Sequence, residues 1–171
     1  MKEIMSSEKI VFESPAWESL IHACEAGYPK EVCGILLGTE GSNRVKQIET
    51  LTNILVEQNK DNLDRIFGTK DIALPKERLD RGGAFEFLID PKEHQRTLNL
   101  AQIIHGLDQI GIFHSHPDHP PEPSETDIAQ PMLAGWSNVI VSVHERKFKK
   151  AKSWFRETEN APFHEQEILV Q

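Results

Sequence analysis

Two cysteines, Cys24 and Cys33, are too few and too irregularly spaced in 171 residues for a disulfide framework or a CxxC site. They suit a reducing compartment, and both read as buried thiols. Nowhere does the chain hold 18 consecutive apolar residues, and no basic start is followed by a long apolar stretch. The reading is therefore a cytoplasmic protein with no membrane partner. Positive charge is also scarce: 19 Lys and Arg against 27 Asp and Glu leave a formal charge of −8, which offers no general attraction to nucleic-acid phosphates. The densest basic group, Lys147, Lys149, Lys150 and Lys152, reads as a solvated hairpin. No internal repeat is present.

What remains is an ordinary globular composition, 38% apolar and 27% charged with the signs interspersed, and a length that buries one sizeable core. A single domain over residues 1–171 is expected. Lys9 to Glu13 has the character of a strand. Ser14-Pro15 opens a helix to about Glu25, with Ser14 as N-cap and Ala16, Leu20, Ala23 and Cys24 as its apolar stripe. Val32 to Leu37 is a short, unalternated apolar run, the pattern of a strand covered on both faces and central in a sheet. Arg44 to Leu55 reads as its hairpin partner.

From Gln58 to Gly83 no period emerges, and the segment is expected to be an insertion or mobile loop. A strand is expected over Ala84 to Ile89. Asp90-Pro91 then opens a second helix with Leu98, Ala101, Ile104 and His105 on one face, closed by Gly106. Gln109 to His114, Asn138 to Val143, Lys149 to Arg156 and Glu167 to Val170 complete the strands, with a short helix from about Glu125. Helices mixed with strands in this order imply an α/β sandwich around a mixed sheet.

The chemistry concentrates in Gly111-Ile112-Phe113-His114-Ser115-His116-Pro117 and the Ser124-Glu125-Thr126-Asp127 that follows. Alternate strand residues share a face, so Ile110, Ile112, His114 and His116 should line up and bring two imidazoles together at a strand end. Prolines 117, 120, 121 and 123 stiffen the return path, along which Asp127 can swing back. Two imidazoles and one carboxylate leave a fourth tetrahedral position for water on zinc. Each piece also has a plainer reading: HxH as a core or surface pair, SxxD as a helix capping box, the prolines as a rigid loop.

Together, His114, His116, Pro117, Ser124 and Asp127 stand in the spacing H-S-H-P-x6-S-x2-D, and Glu31-Val32-Cys33-Gly34-Ile35-Leu36-Leu37-Gly38 lies upstream. From about residue 10 to 157, Phe87-Leu88-Ile89-Asp90-Pro91 included, the chain resembles the short prokaryotic members of the JAMM/MPN+ zinc metallopeptidase family. The resemblance implies an α/β JAMM/MPN-like sandwich, a mixed, curved central sheet flanked by helices in the cytidine deaminase-like manner. It implies one zinc per chain held by His114, His116 and Asp127. Glu31 would be the general base for water and Ser124 a hydrogen-bond donor to the oxyanion. It further implies a substrate among ubiquitin-like sulfur carriers of the MoaD/ThiS type, cut at a C-terminal Gly-Gly tail.

Other readings of the pattern are an amide hydrolase for a small peptide-like molecule, a RadC-like protein, or a metal-free MPN binding module. Asp118 and His119 occupy no motif position and read as solvent-facing. Cys33 shares Glu31's face by alternation but reads as a packed thiol. His22, His94, His105, His144 and His164 read as structural or surface residues. Oligomeric state stays open, a homodimer included.

Overall fold

A computed structural model describes residues 8–54 and 87–171. The segment 58–83 and the first part of the strand expected over Ala84 to Ile89 lie outside those residues. The chain runs through β1 (Lys9–Phe12), α1 (Ser14–Gly27), β2 (Cys33–Gly38), β3 (Arg44–Val45), β4 (Gln47–Leu51) and α2 (Pro91–His105). It continues with β5 (Asp108–Pro117), the four-residue α3 (Glu125–Ile128), a 3-10 turn at Pro131–Leu133, β6 (Ser137–His144), β7 (Lys147–Phe155) and β8 (His164–Val170).

Among the described residues, eight strands form one mixed sheet in the order β3-β1-β8-β7-β6-β5-β2-β4. β3 and β4 are separated only by Lys46, yet they stand at opposite ends of that order, so the sheet curves strongly back on itself. This corrects the single hairpin strand expected over Arg44 to Leu55. Arg44 and Val45 pair with β1, while Gln47 to Leu51 pair with β2. β2 is interior, covered by β5 on one side and β4 on the other, and all six of its residues are buried.

Two apolar clusters cover the faces of the sheet. One joins Ala16, Leu20 and Cys24 of α1 to Ile10, Phe12, Leu36, Phe113, Val139 and Val141. The other joins Ala101 of α2 to Cys33, Ile35, Leu37, Phe87, Ile89 and Ile112. Ala23, expected in the α1 stripe, is only half-buried, and Ser14 is the helix's first residue rather than its cap, which is Glu13. In α2, Asp90 caps the first turn by accepting from the Lys92 and Glu93 amides, and Gly106 ends it in the left-handed conformation at φ 62°. Its face differs from expectation: only Ala101 is buried, and Ile104 is 64% exposed. Strand structure over the described end of Ala84 to Ile89 reduces to one bridge, Asn53 to Ile89.

A bulge decides what β5 presents. Leu36 faces Gly111 and Leu37 faces Gln109, so Ile110 is unpaired and the alternation flips there. Ile110 accordingly joins the α1-side cluster and Ile112 the α2-side one, which corrects the expectation that they share a face. Gly111 sits where β5 and its neighbours crowd: a Cβ would lie 2.7 Å from the Ser137 carbonyl. Among the described residues no helix is long and apolar enough to cross a membrane.

Candidate metal centre

From the bulge onward alternation holds, and His114 and His116 project from the C-terminal end of β5, both buried. Asp127 arrives on α3, where Ser124 and Asp127 form a reciprocal capping box: the Asp127 amide donates to Ser124 Oγ at 3.1 Å and the Ser124 amide to Asp127 Oδ2 at 2.8 Å. The expected cap is real. So is the convergence: His114 Nε2 and His116 Nε2 are 3.0 Å apart, and Asp127 reaches them with Oδ1 and Oδ2 at 3.2 and 3.3 Å.

Pro120's carbonyl, 2.8 Å from His116 Nδ1, can only accept, so that nitrogen carries the ring proton and Nε2 presents a lone pair. His114 stacks on Phe87 at 4.4 Å between centroids, and its buried Nδ1 has no partner among the described residues. Burial holds the His114 pKa down, with His116 helping and Asp127 opposing, so the imidazole is neutral at physiological pH. Burial would raise Asp127, but His114, His116 and the Ser124 amide outweigh it and keep the carboxyl well below the usual carboxylate range.

Two imidazoles and an ionised carboxylate form the one group of donors fit for a metal among the described residues. The spacing fits as well. Tetrahedral bonds of about 2.0–2.1 Å separate neighbouring ligand atoms by about 3.3–3.4 Å; here the two Nε2 atoms are 3.0 Å apart, and each lies 3.2 or 3.3 Å from its own oxygen of the Asp127 carboxylate.

Glu31 comes to this centre through sheet register. Cys33 pairs antiparallel with His114, and counting outward puts Glu31 opposite His116. The connection is tied by the Ser115 amide to the Val32 carbonyl at 2.9 Å and the Val32 amide to Ser115 Oγ at 2.8 Å. Asn53, which the sequence did not single out, donates to the Glu31 carbonyl at 3.1 Å and accepts from the Leu88 amide. Glu31, His116 and Ser124 line one cleft of about 480 Å³.

Cys33 is not brought in. Its thiol donates to the Leu51 carbonyl, and burial, then Glu31 and Glu93, push it up so that it stays protonated. Asp118 is exposed, held by the Tyr28 hydroxyl at 2.7 Å and His144 at 3.0 Å. His119 is exposed at the cleft's rim. Two further residues carried no motif signal: Ser142 donates to the His119 carbonyl at 2.6 Å, and Trp154 Nε1 to the Pro121 carbonyl at 2.8 Å. Lys152, expected to be solvated, bridges Glu122 and Glu165.

A curved mixed sheet with flanking helices and this donor set at a strand end define the protein as a JAMM-type hydrolase of the JAMM/MPN fold. The chain belongs to the prokaryotic homologs of the JAB domain, matched over residues 13–157. It is 27% identical to a desampylase of Haloferax volcanii across 81% of this chain and 84% of the relative. A desampylase of Pyrococcus furiosus is 28% identical across 76% and 69%. Among solved structures, a Salinibacter ruber protein has a TM-score of 0.59 at 28% identity, covering 93% of this chain and 90% of that one. A Desulfitobacterium hafniense protein matches the fold at TM-score 0.67 and 22% identity, over 95% and 92%.

Proposed function

We propose that His114, His116 and Asp127 hold one zinc ion and that the chain cleaves an isopeptide or peptide bond at the C-terminal Gly-Gly tail of a ubiquitin-like sulfur-carrier protein. The observation that carries the reading is the buried set of three donors, which reaches through His116 a cleft shared with Glu31 and Ser124. The substrate class rests on the family resemblance and on relatives named desampylases.

Zinc in such a set supplies Lewis acidity that lowers the pKa of water toward about 7. Glu31, buried opposite His116, takes the attacking water's proton on its carboxylate and delivers it to the leaving amine. Ser124 Oγ already accepts from the Asp127 amide, so its own hydrogen is available to the oxyanion of the tetrahedral intermediate. The Pro120 carbonyl holds the His116 ring in the tautomer that keeps Nε2 basic.

The test is elemental analysis of wild-type protein and Glu31→Gln, followed by kinetics on carriers joined to a lysine through Gly-Gly and on short peptide amides. Both proteins should hold one zinc per chain, with turnover in the variant reduced by about 10²–10⁴-fold. Wild-type turnover in Glu31→Gln removes that residue from the mechanism. Faster cleavage of the short amides than of the carrier conjugates removes the protein substrate.

A further inference from the structure

Arg156, immediately after β7, is the largest side chain fully buried in the described structure, 1% exposed. It has no carboxylate partner among the described residues. Its Nη1 donates to the Ile128 carbonyl at 2.8 Å and its Nη2 to the Gln130 carbonyl, while Nε is buried with no partner. The guanidinium carbon lies 4.5 Å from the Phe163 ring centre, which returns part of what desolvation takes. A buried guanidinium without a counter-ion is ordinarily worse for stability than an apolar side chain of similar size. Its advantage must lie in what its two bonds hold.

They hold the end of α3. A helix of four residues does not persist by its own hydrogen bonds, and its last carbonyls have no partners inside it. Ser124, Glu125 and Asp127 use their carbonyls on the Ile128, Ala129 and Gln130 amides, and the Gln130 carbonyl accepts from the Leu133 amide, while that of Ile128, the last residue of α3, takes no backbone amide among the described residues. Arg156 takes both with one rigid fork, which a lysine cannot reproduce in fixed geometry. Ser124 closes the helix's other end, and Asp127 sits between the two.

We infer that Arg156 is a positioning residue, a C-terminal clamp on α3 that sets the Asp127 carboxylate against His114 and His116 and so tunes metal affinity. This rests on the zinc reading above. The test uses Arg156→Met and Arg156→Lys, with Leu20→Val in the opposite core cluster as a variant that weakens the fold alone. Each is followed by thermal melting, by zinc affinity from chelator competition at a temperature where it is folded, and by the visible spectrum of the cobalt-loaded protein.

Both Arg156 variants should bind zinc about 10–100-fold more weakly and alter the cobalt spectrum. Leu20→Val should melt earlier with unchanged affinity and spectrum. Arg156 variants that fold and bind zinc as the wild type does overturn the clamp and leave the zinc reading standing. A wild type that takes up no zinc overturns both. Should neither variant fold, amide exchange in the metal-free wild type decides: Ile128, Ala129 and Gln130 should be as protected as β5, and coil-like exchange there overturns the clamp.

Discussion

The histidines and the aspartate reach the same point by different means. His114 and His116 ride on a ten-residue strand whose last eight residues are buried and which is hydrogen-bonded on both sides, to β2 and β6. Asp127 rides on one turn of helix beyond a proline-rich loop; side chains from β6 and β7, Ser142, Trp154 and Lys152, hold that loop, and Arg156 just after β7 holds the end of the helix. One half of the centre is made rigid by backbone pairing, the other by side chains distant in sequence. The contrast teaches that the same donor set has a robust half and a fragile half.

Removing a ligand from the robust half should have the largest effect and the cleanest one. His116→Ala should lose zinc and all measurable hydrolysis while keeping a cooperative melt, because the strand's pairing does not depend on that ring. Full zinc occupancy in the variant, read by elemental analysis, would end the metal assignment.

Ser124→Ala touches the fragile half twice. It should lower turnover by about 10²–10³-fold through the oxyanion contact. Loss of the cap should also cost about 1 kcal/mol in thermal stability. A stability loss with unchanged turnover would leave Ser124 as a cap alone.

Acid should weaken the metal-free protein in two stages. His114's folded pKa lies below its unfolded value, so its contribution is complete above about pH 6.5 and lost as pH falls below it. Asp127 is likewise depressed, and its contribution, complete above about pH 4, is lost on further acidification toward its folded pKa. Through these two groups the melting temperature should therefore stay level from pH 8 to about pH 6.5 and fall from there to pH 3. A rise anywhere below pH 6.5 contradicts the assigned protonation states.

The smallest effects sharpen the comparison most. Trp154→Phe deletes the donor to the Pro121 carbonyl and should cost about 1 kcal/mol. Ile140→Val, paired beside His114, should cost a similar 0.5–1.5 kcal/mol, roughly. Zinc affinity should drop in the first and hold in the second. Equal affinities would erase the distinction between the halves.

Strand alternation and a capping box are local geometry, which is why His114, His116, Ser124 and Asp127 could be placed on their elements from spacing, whereas their joint role was read from the resemblance of the whole pattern to the JAMM/MPN+ family. Each depends on residues two or three positions away, and no distant part of the chain needs to be known. The exposed Ile104 shows the limit even locally: helical period assigns residues to a face, but only the packed partner decides which part of that face is covered.

Everything that links distant segments was decided by tertiary structure. Glu31 stands opposite His116 because β2 and β5 run antiparallel in one particular register. Ile110 leaves the face of Ile112 because a bulge absorbs one residue between those strands. Arg156 grips the Ile128 and Gln130 carbonyls because the end of β7 pairs with the start of β6, which follows that segment, and the Gly135 amide donates to the Arg156 carbonyl. Register, bulges and buried hydrogen-bond partners are set by contacts between segments far apart in sequence, and a pattern read along one segment contains no term for them.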